Sequence, residues 1–221
     1  MLFFRKYILA FTGLFLCLFL IVHLGGNLIL LLPKFHAQSL YNLYSHTLAE
    51  NLLIKVVSIF LYLAILIHTY MAVRVTIKNS RSQGVDYAFK DNSEVTTWTS
   101  QNMGLLGFII LIFIVVHMGN FWARVKLGFG QSIPIDSSGH KDIYLITTQL
   151  FKNPFYVIFY SLLMIPLGAH INHGLSSAFK TLGFYRLKHI QVLDKCSRFF
   201  SLIITFGFAI IPIVIFIREK L

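Results

Sequence analysis

Between Tyr7 and Pro33 the chain carries no charged residue, and four later stretches are nearly as apolar. A helix needs about 20 apolar residues to cross the hydrocarbon core of a bilayer. Residues 7–32, 52–77, 103–125, 154–179 and 196–217 all reach that length. A spanning segment has to satisfy its own backbone hydrogen bonds in lipid, so runs of this length are helices. The expected fold is an all-α membrane protein: a single integral domain over residues 1–221 with five transmembrane helices, of which helices 1–4 form a four-helix bundle. The opening MLFFRK ahead of an apolar run imitates a secretion signal. The run is too long for one, and no small-residue cleavage site follows it, so a retained first helix is expected. The polar stretches PKFHAQSLYN, GFGQSIPIDSSGHKD and GFYRLKHIQ are expected to be connections.

Nineteen Lys and Arg face eight Asp and Glu, a net charge of +11, which in a soluble protein would suggest nucleic acid. Here only 12% of residues are charged, against about 25% in soluble domains. The cations also cluster at the ends of the apolar runs, where they act as topology signals. With the N-terminus inside, eleven face the cytoplasm (Arg5, Lys6, Arg74, Lys78, Arg81, Lys90, Lys180, Arg186, Lys188, Lys195, Arg198) and eight face out (Lys34, Lys55, Arg124, Lys126, Lys141, Lys152, Arg218, Lys220). That bias favours an N-terminus inside and a C-terminus outside. Cys17 and Cys196 form no CxxC or CxxCH motif for a disulfide framework or covalent haem.

Two runs share a phrase: FLIVHLGGN at 19–27 and FIVVHMGN at 113–120. His23, His68, His117, His170 and His173 fall in the first four spans, where an ionisable residue is costly and marks a functional candidate. Depth sorts them. At about 1.5 Å per residue, His23 lies roughly 26 Å beyond Lys6 and His117 roughly 10 Å before Arg124, both toward the outer face. By the same measure His68 lies roughly 9 Å before Arg74 and His170 roughly 15 Å before Lys180, both in the inner half. The result is two stacked imidazole pairs, His23 with His117 outside and His68 with His170 inside. Such pairs suit two bis-histidine haems b, with the imidazoles as axial ligands of the haem iron. Zinc wants four converging ligands, and no Cys or carboxylate accompanies either pair.

Small residues fit this arrangement. Gly13 and Gly107 each stand ten residues before a ligand, about 15 Å away, at the inner level. Ser58 and Ser161 hold the corresponding outer positions on spans 2 and 4. For the fourth ligand, depth alone slightly favours His173. Gly174, on the same helical face as His170, favours His170 by leaving room for a macrocycle. Arg74 and Lys180 inside, and Arg124 and Lys126 outside, are candidate partners for haem propionates.

With these residues in place the sequence resembles the cytochrome b membrane-anchor subunit of succinate dehydrogenase and fumarate reductase (respiratory complex II), in its single-chain, two-haem, five-span form. The resemblance covers nearly the whole chain. It rests on RKYILAFTGLFL, the four helix histidines, TSQNMG ahead of span 3 and HINHGLSSAFKTLG in span 4. In the last segment the family places its ligand four residues before the first glycine, with a second glycine nine later. Here these glycines are Gly174 and Gly183, which carries the ligand role to His170. The resemblance implies an iron–sulfur subunit at the cytoplasmic face of a bacterial inner membrane, which bears a flavoprotein with FAD. Electrons from succinate would pass through flavin, iron–sulfur clusters and the two haems to a quinone, menaquinone being expected. Loops 78–98 and 183–195 are the expected docking surface. Some family members carry an intramembrane Glu beside the span-4 ligand for proton movement. This chain has Gly168 and Ala169 there, so that route is not carried over. Glu50 and His46, near the outer start of span 2, are candidate proton donors at a quinone site. The rival readings are a di-haem cytochrome b of a hydrogenase or formate dehydrogenase, and a haem-free transporter with a histidine proton relay.

Overall fold

A computed structural model describes residues 2–82, 98–130, 132–184 and 187–221. The described chain is helical. Its one β feature is an isolated bridge between Ile135 and Lys141. Five helical segments are long and apolar enough to cross a membrane: Phe4–Leu31, Leu52–Lys78, Met103–Leu127, Pro154–Thr181 and Ile190–Lys220. The chain is thus a multi-pass helical membrane protein. Phe11, Leu66, Phe108, Val115 and Phe206 are all more than half exposed, as side chains that face lipid should be.

Helix α1 (Leu2–Leu28) tightens into a 3₁₀ turn over Ile29–Leu31 and stops at Leu32, which is extended at φ −64°, ψ 161°. Pro33 follows, and a residue before proline is pushed out of the helical region. Pro33 then opens α2 (Lys34–Glu50), which corrects the expectation that PKFHAQSLYN is only a connection. Polar residues take the inward positions of α2, so hydrophobic periodicity gave no sign of it. Asn42 is fully buried; its amide donates to Asp136 Oδ2 at 3.0 Å and to Asp142 Oδ1 at 2.9 Å. Gln38 donates to Asp142 Oδ2 at 2.7 Å. Asn51 separates α2 from α3 (Leu52–Ser82) and caps it by accepting from the Ile54 N–H.

A short helix α4 (Trp98–Gln101) precedes the third span. That span is built from α5 (Met103–Met118), a wide π turn over Gly119–Ala123 and α6 (Arg124–Leu127), which ends on left-handed Gly128 at φ 70°. The connection between the third and fourth spans contains α7 (Ile143–Phe151), whose N-cap Asp142 accepts from the Leu145 N–H. The fourth span has two parts, α8 (Pro154–Leu162) and α9 (Met164–Thr181). Pro166 has no N–H for the Leu162 carbonyl, which accounts for the break between them. The last helix, α10 (Leu187–Lys220), begins nine residues earlier than the span expected at 196. Asp194 on this added stretch accepts from Ser176 and pairs with Lys180 at 3.2 Å, tying α10 to α9.

Helix α1 packs on α3 and α9, and α5 packs on the same two, so the four form a square with α10 outside it against α9. Gly168 of α9 lies against Thr205 of α10, where a Cβ would collide. At one end of the bundle Arg218 donates to the Leu32 carbonyl at 2.6 Å, the Leu30 carbonyl at 3.0 Å and Tyr144 Oη at 3.2 Å. Beside it Glu219 pairs with Lys152 at 3.2 Å and Lys34 at 3.6 Å. Arg5, Arg74 and Lys78 instead gather around a separate cavity between the start of α1 and the end of α3. Lys34, Lys152 and Arg218 thus gather in one place, and Arg5, Arg74 and Lys78 in another. Arg81, Lys90, Arg186, Lys188 and most of the 78–98 docking loop lie outside the described residues or side chains.

The α2–α7 junction should be acid-sensitive. Burial opposes the charge on Asp136. The His140 and Ser138 N–H groups and the Asn42 amide outweigh it and hold the carboxyl below its usual value. The fold favours the charged form, so this stabilisation is present above the ordinary carboxylate range. It is lost as pH falls through the held-down value, below about pH 4. The thermal unfolding midpoint of the detergent-solubilised protein should fall with acid in that window, and fall less steeply in Asp136→Asn. Identical profiles would exclude the effect.

Candidate functional site

The cross-bundle histidines meet in two pairs. His23 of α1 and His117 of α5 have ring centroids 5.8 Å apart at 85°. His68 of α3 and His170 of α9 are 6.4 Å apart at 70°. Each pair spans one diagonal of the square. Gly13 on α1 faces His68, where a Cβ would stand 3.4 Å from Cε1, and Gly107 on α5 faces His170, with 3.6 Å to Cε1. Each glycine is ten residues before the histidine of the other pair on its own helix. Both helices therefore give the same separation of the two levels, about 15 Å.

The surroundings of the two levels differ. The His23–His117 level is lined by aromatics: Phe19 at 5.1 Å and Phe208 at 5.5 Å from His23, and Phe121 at 5.1 Å, Phe113 at 5.6 Å and Tyr160 at 6.0 Å from His117. His117 sits just before the π turn, a distortion that recurs at functional sites. Asn120 within that turn donates to Tyr160 Oη at 2.9 Å. At the other level Thr12 Oγ1 is 2.9 Å from His68 Nδ1. The Nδ1 atoms of His117 and His170 are buried and have no hydrogen-bond partner among the described residues. Asn27 approaches His23 Nδ1 at 3.5 Å, donates to the His23 carbonyl at 2.8 Å, and accepts from Tyr41 at 3.3 Å.

The donor set can be tested against candidate groups. Among the described residues no three His, Cys, Asp or Glu side chains cluster to hold a bare metal ion. Two imidazoles alone suit a metal that brings its own in-plane ligands, as haem iron does. Two metal–nitrogen bonds of about 2 Å, plus the depth of each ring, separate axial imidazole centroids by about 6 Å. Both observed separations agree with that figure. The glycines facing His68 and His170 remove the side chains that would crowd a macrocycle. The donor set suits a haem at each level, and small residues stand beside the rings at the His68–His170 level.

Other expected site residues fare differently. His170, not His173, reaches His68. Ser58 donates to the Ile54 carbonyl of its own helix at 2.8 Å. Ser161 turns away to donate to the Ala209 carbonyl of α10 at 3.0 Å, and Tyr160 beside it packs on His117. Lys180 is engaged with Asp194, whereas Arg74 lines the cavity of about 450 Å³ with Arg5, Lys78 and Ile77. Arg5 is thus a cation near the His68 level that helix-by-helix reasoning did not single out. The proton-donor candidates each have a partner of their own. His46 is exposed and stacks on His140 at 4.4 Å, while exposed Glu50 pairs with Lys55 at 3.6 Å. Thr12 and Asn120 reach across to other helices, which the sequence does not reveal, whereas Asn27 reaches His23 from four residues on along the same helix. Comparison with protein-family models, curated proteins and solved structures gives no match for the chain.

Proposed function

We propose that the chain is the membrane-anchor and electron-transfer subunit of a succinate:quinone oxidoreductase, carrying electrons between an iron–sulfur subunit and a membrane quinone. The observation that supports this most strongly is the pair of cross-bundle imidazole contacts at 5.8 and 6.4 Å. His23 and His117 would hold one haem b, and His68 and His170 the other. When bound, haem supplies one-electron redox chemistry within the bilayer. The chain does the rest. Its paired imidazoles set the two positions, and Gly13 and Gly107 keep the His68–His170 level open. Phe19, Phe113 and Phe121 keep water from the other level. Arg5, Arg74 and Lys78 present positive charge to carboxylates at the His68 end.

On this reading the His68 end faces the cytoplasm and receives the iron–sulfur subunit, and a flavoprotein bearing FAD completes the dehydrogenase. Quinone, menaquinone on the family resemblance, is reduced toward the His23 end. A pyridine haemochrome spectrum of the purified chain, with its co-purifying subunits identified, tests the reading. Two haems b per chain and succinate-reducible absorbance are expected. A colourless preparation would overturn the haem assignment. Co-purification with hydrogenase or formate dehydrogenase subunits would overturn the succinate assignment alone.

A further inference from the structure

Only one of the four paired histidines has its Nδ1 against a side-chain group whose own proton is already committed. The Thr12 hydroxyl has one proton, and it goes to the Ile8 carbonyl one turn back, at 2.7 Å, with the Leu9 carbonyl at 3.3 Å as its other neighbour. Toward His68 Nδ1, at 2.9 Å, Thr12 therefore presents a lone pair. His68 must donate there. A neutral imidazole has a single N–H, so its Nε2 is left bare.

The other three lack such a contact. His117 and His170 have buried Nδ1 atoms without partners among the described residues. The group nearest His23 Nδ1 is an amide donor, Asn27 Nδ2, at 3.5 Å. The two levels are therefore chemically unequal although both are bis-histidine.

We propose that Thr12 is a positioning residue for the His68–His170 haem: its hydroxyl accepts the Nδ1 proton of His68, fixes the tautomer that offers Nε2 to iron, and sets that haem's potential apart from the other's. This rests on the haem reading above. An acceptor on the distal N–H makes the imidazole a stronger donor to the metal and favours the oxidised iron. The hydroxyl thus lowers the potential of one haem and leaves the other unchanged.

The test is a redox titration of the purified holoprotein, following both haems by absorbance, for wild type, Thr12→Val and Thr12→Ser. Valine keeps the shape and removes the acceptor; serine restores it. In Thr12→Val one wave should move to higher potential while the second stays in place, and that haem should be lost about tenfold more readily on detergent dilution. Thr12→Ser should return the wave toward wild type. The moving wave should be the one that survives in His117→Ala. Two haems with neither wave moved, or both moved equally, would overturn the role of Thr12 and leave the haem reading standing. A wild-type chain without haem would overturn both.

Discussion

On the proposed haem reading, His68→Ala should leave the purified chain with one haem instead of two, and His170→Ala should lose the same one. His23→Ala and His117→Ala should each lose the other. The expectation follows from the pairing: the rings of His68 and His170 are 6.4 Å apart across the bundle, and those of His23 and His117 are 5.8 Å apart. With one imidazole removed, a single ligand remains at that level, while the other level, about 15 Å along the helices, is untouched. Low-temperature absorption spectra and haem-to-protein ratios read the result directly. His173→Ala serves as the control and should keep both haems, since His170 makes the ring contact with His68. Gly13→Leu and Gly107→Leu add an independent check. The new side chains would press on the Cε1 edges of His68 and His170, so both variants should deplete the same haem as His68→Ala. Loss of the same haem by variants from both levels, or of none by all four histidine variants, would show that these are not ligand pairs.

The number, type and approximate limits of the spanning helices were legible because length and apolarity alone decide them, and no partner helix is needed to see that residues 7–32 must cross. The two levels of histidines were legible for a related reason. Position along a straight helix converts to depth at a fixed rise, so His23 and His117 could be matched without knowing which helices touch. Rotation about the helix axis was not legible, and the errors came from there. Ser161 has the expected depth but turns toward Ala209. Thr12 looks like an ordinary helix residue until α3 is seen beside it. Helix α2 escaped notice for a different reason: its buried face carries Gln38 and Asn42, which are satisfied by carboxylates roughly a hundred residues away in sequence. Apolar periodicity cannot report a face held by hydrogen bonds.

That polar face should be the most vulnerable point of its end of the bundle, and Asn42→Leu should lower the unfolding midpoint in detergent by roughly 10 °C. Asn42 is fully buried and uses both ends of its amide: the NH₂ donates to Asp136 and Asp142, and the carbonyl accepts from the Tyr144 N–H at 2.9 Å. Leucine has similar volume but satisfies none of these. The Tyr144 N–H is left without an acceptor and two carboxylates each lose a donor, for a total of about 3–5 kcal/mol. Asp142 also caps α7 through the Leu145 N–H at 2.9 Å, so its loss of partners loosens the start of that helix as well as its attachment to α2. The histidine pairs lie elsewhere in the bundle, so the haem spectrum should be retained at low temperature while the midpoint falls. Ser39→Ala, at an exposed position whose hydroxyl bonds the Phe35 and His36 carbonyls of its own helix, should change the midpoint by no more than about 1 °C. If Asn42→Leu matches Ser39→Ala, water replaces the lost partners and the α2–α7 junction does not secure this end of the bundle.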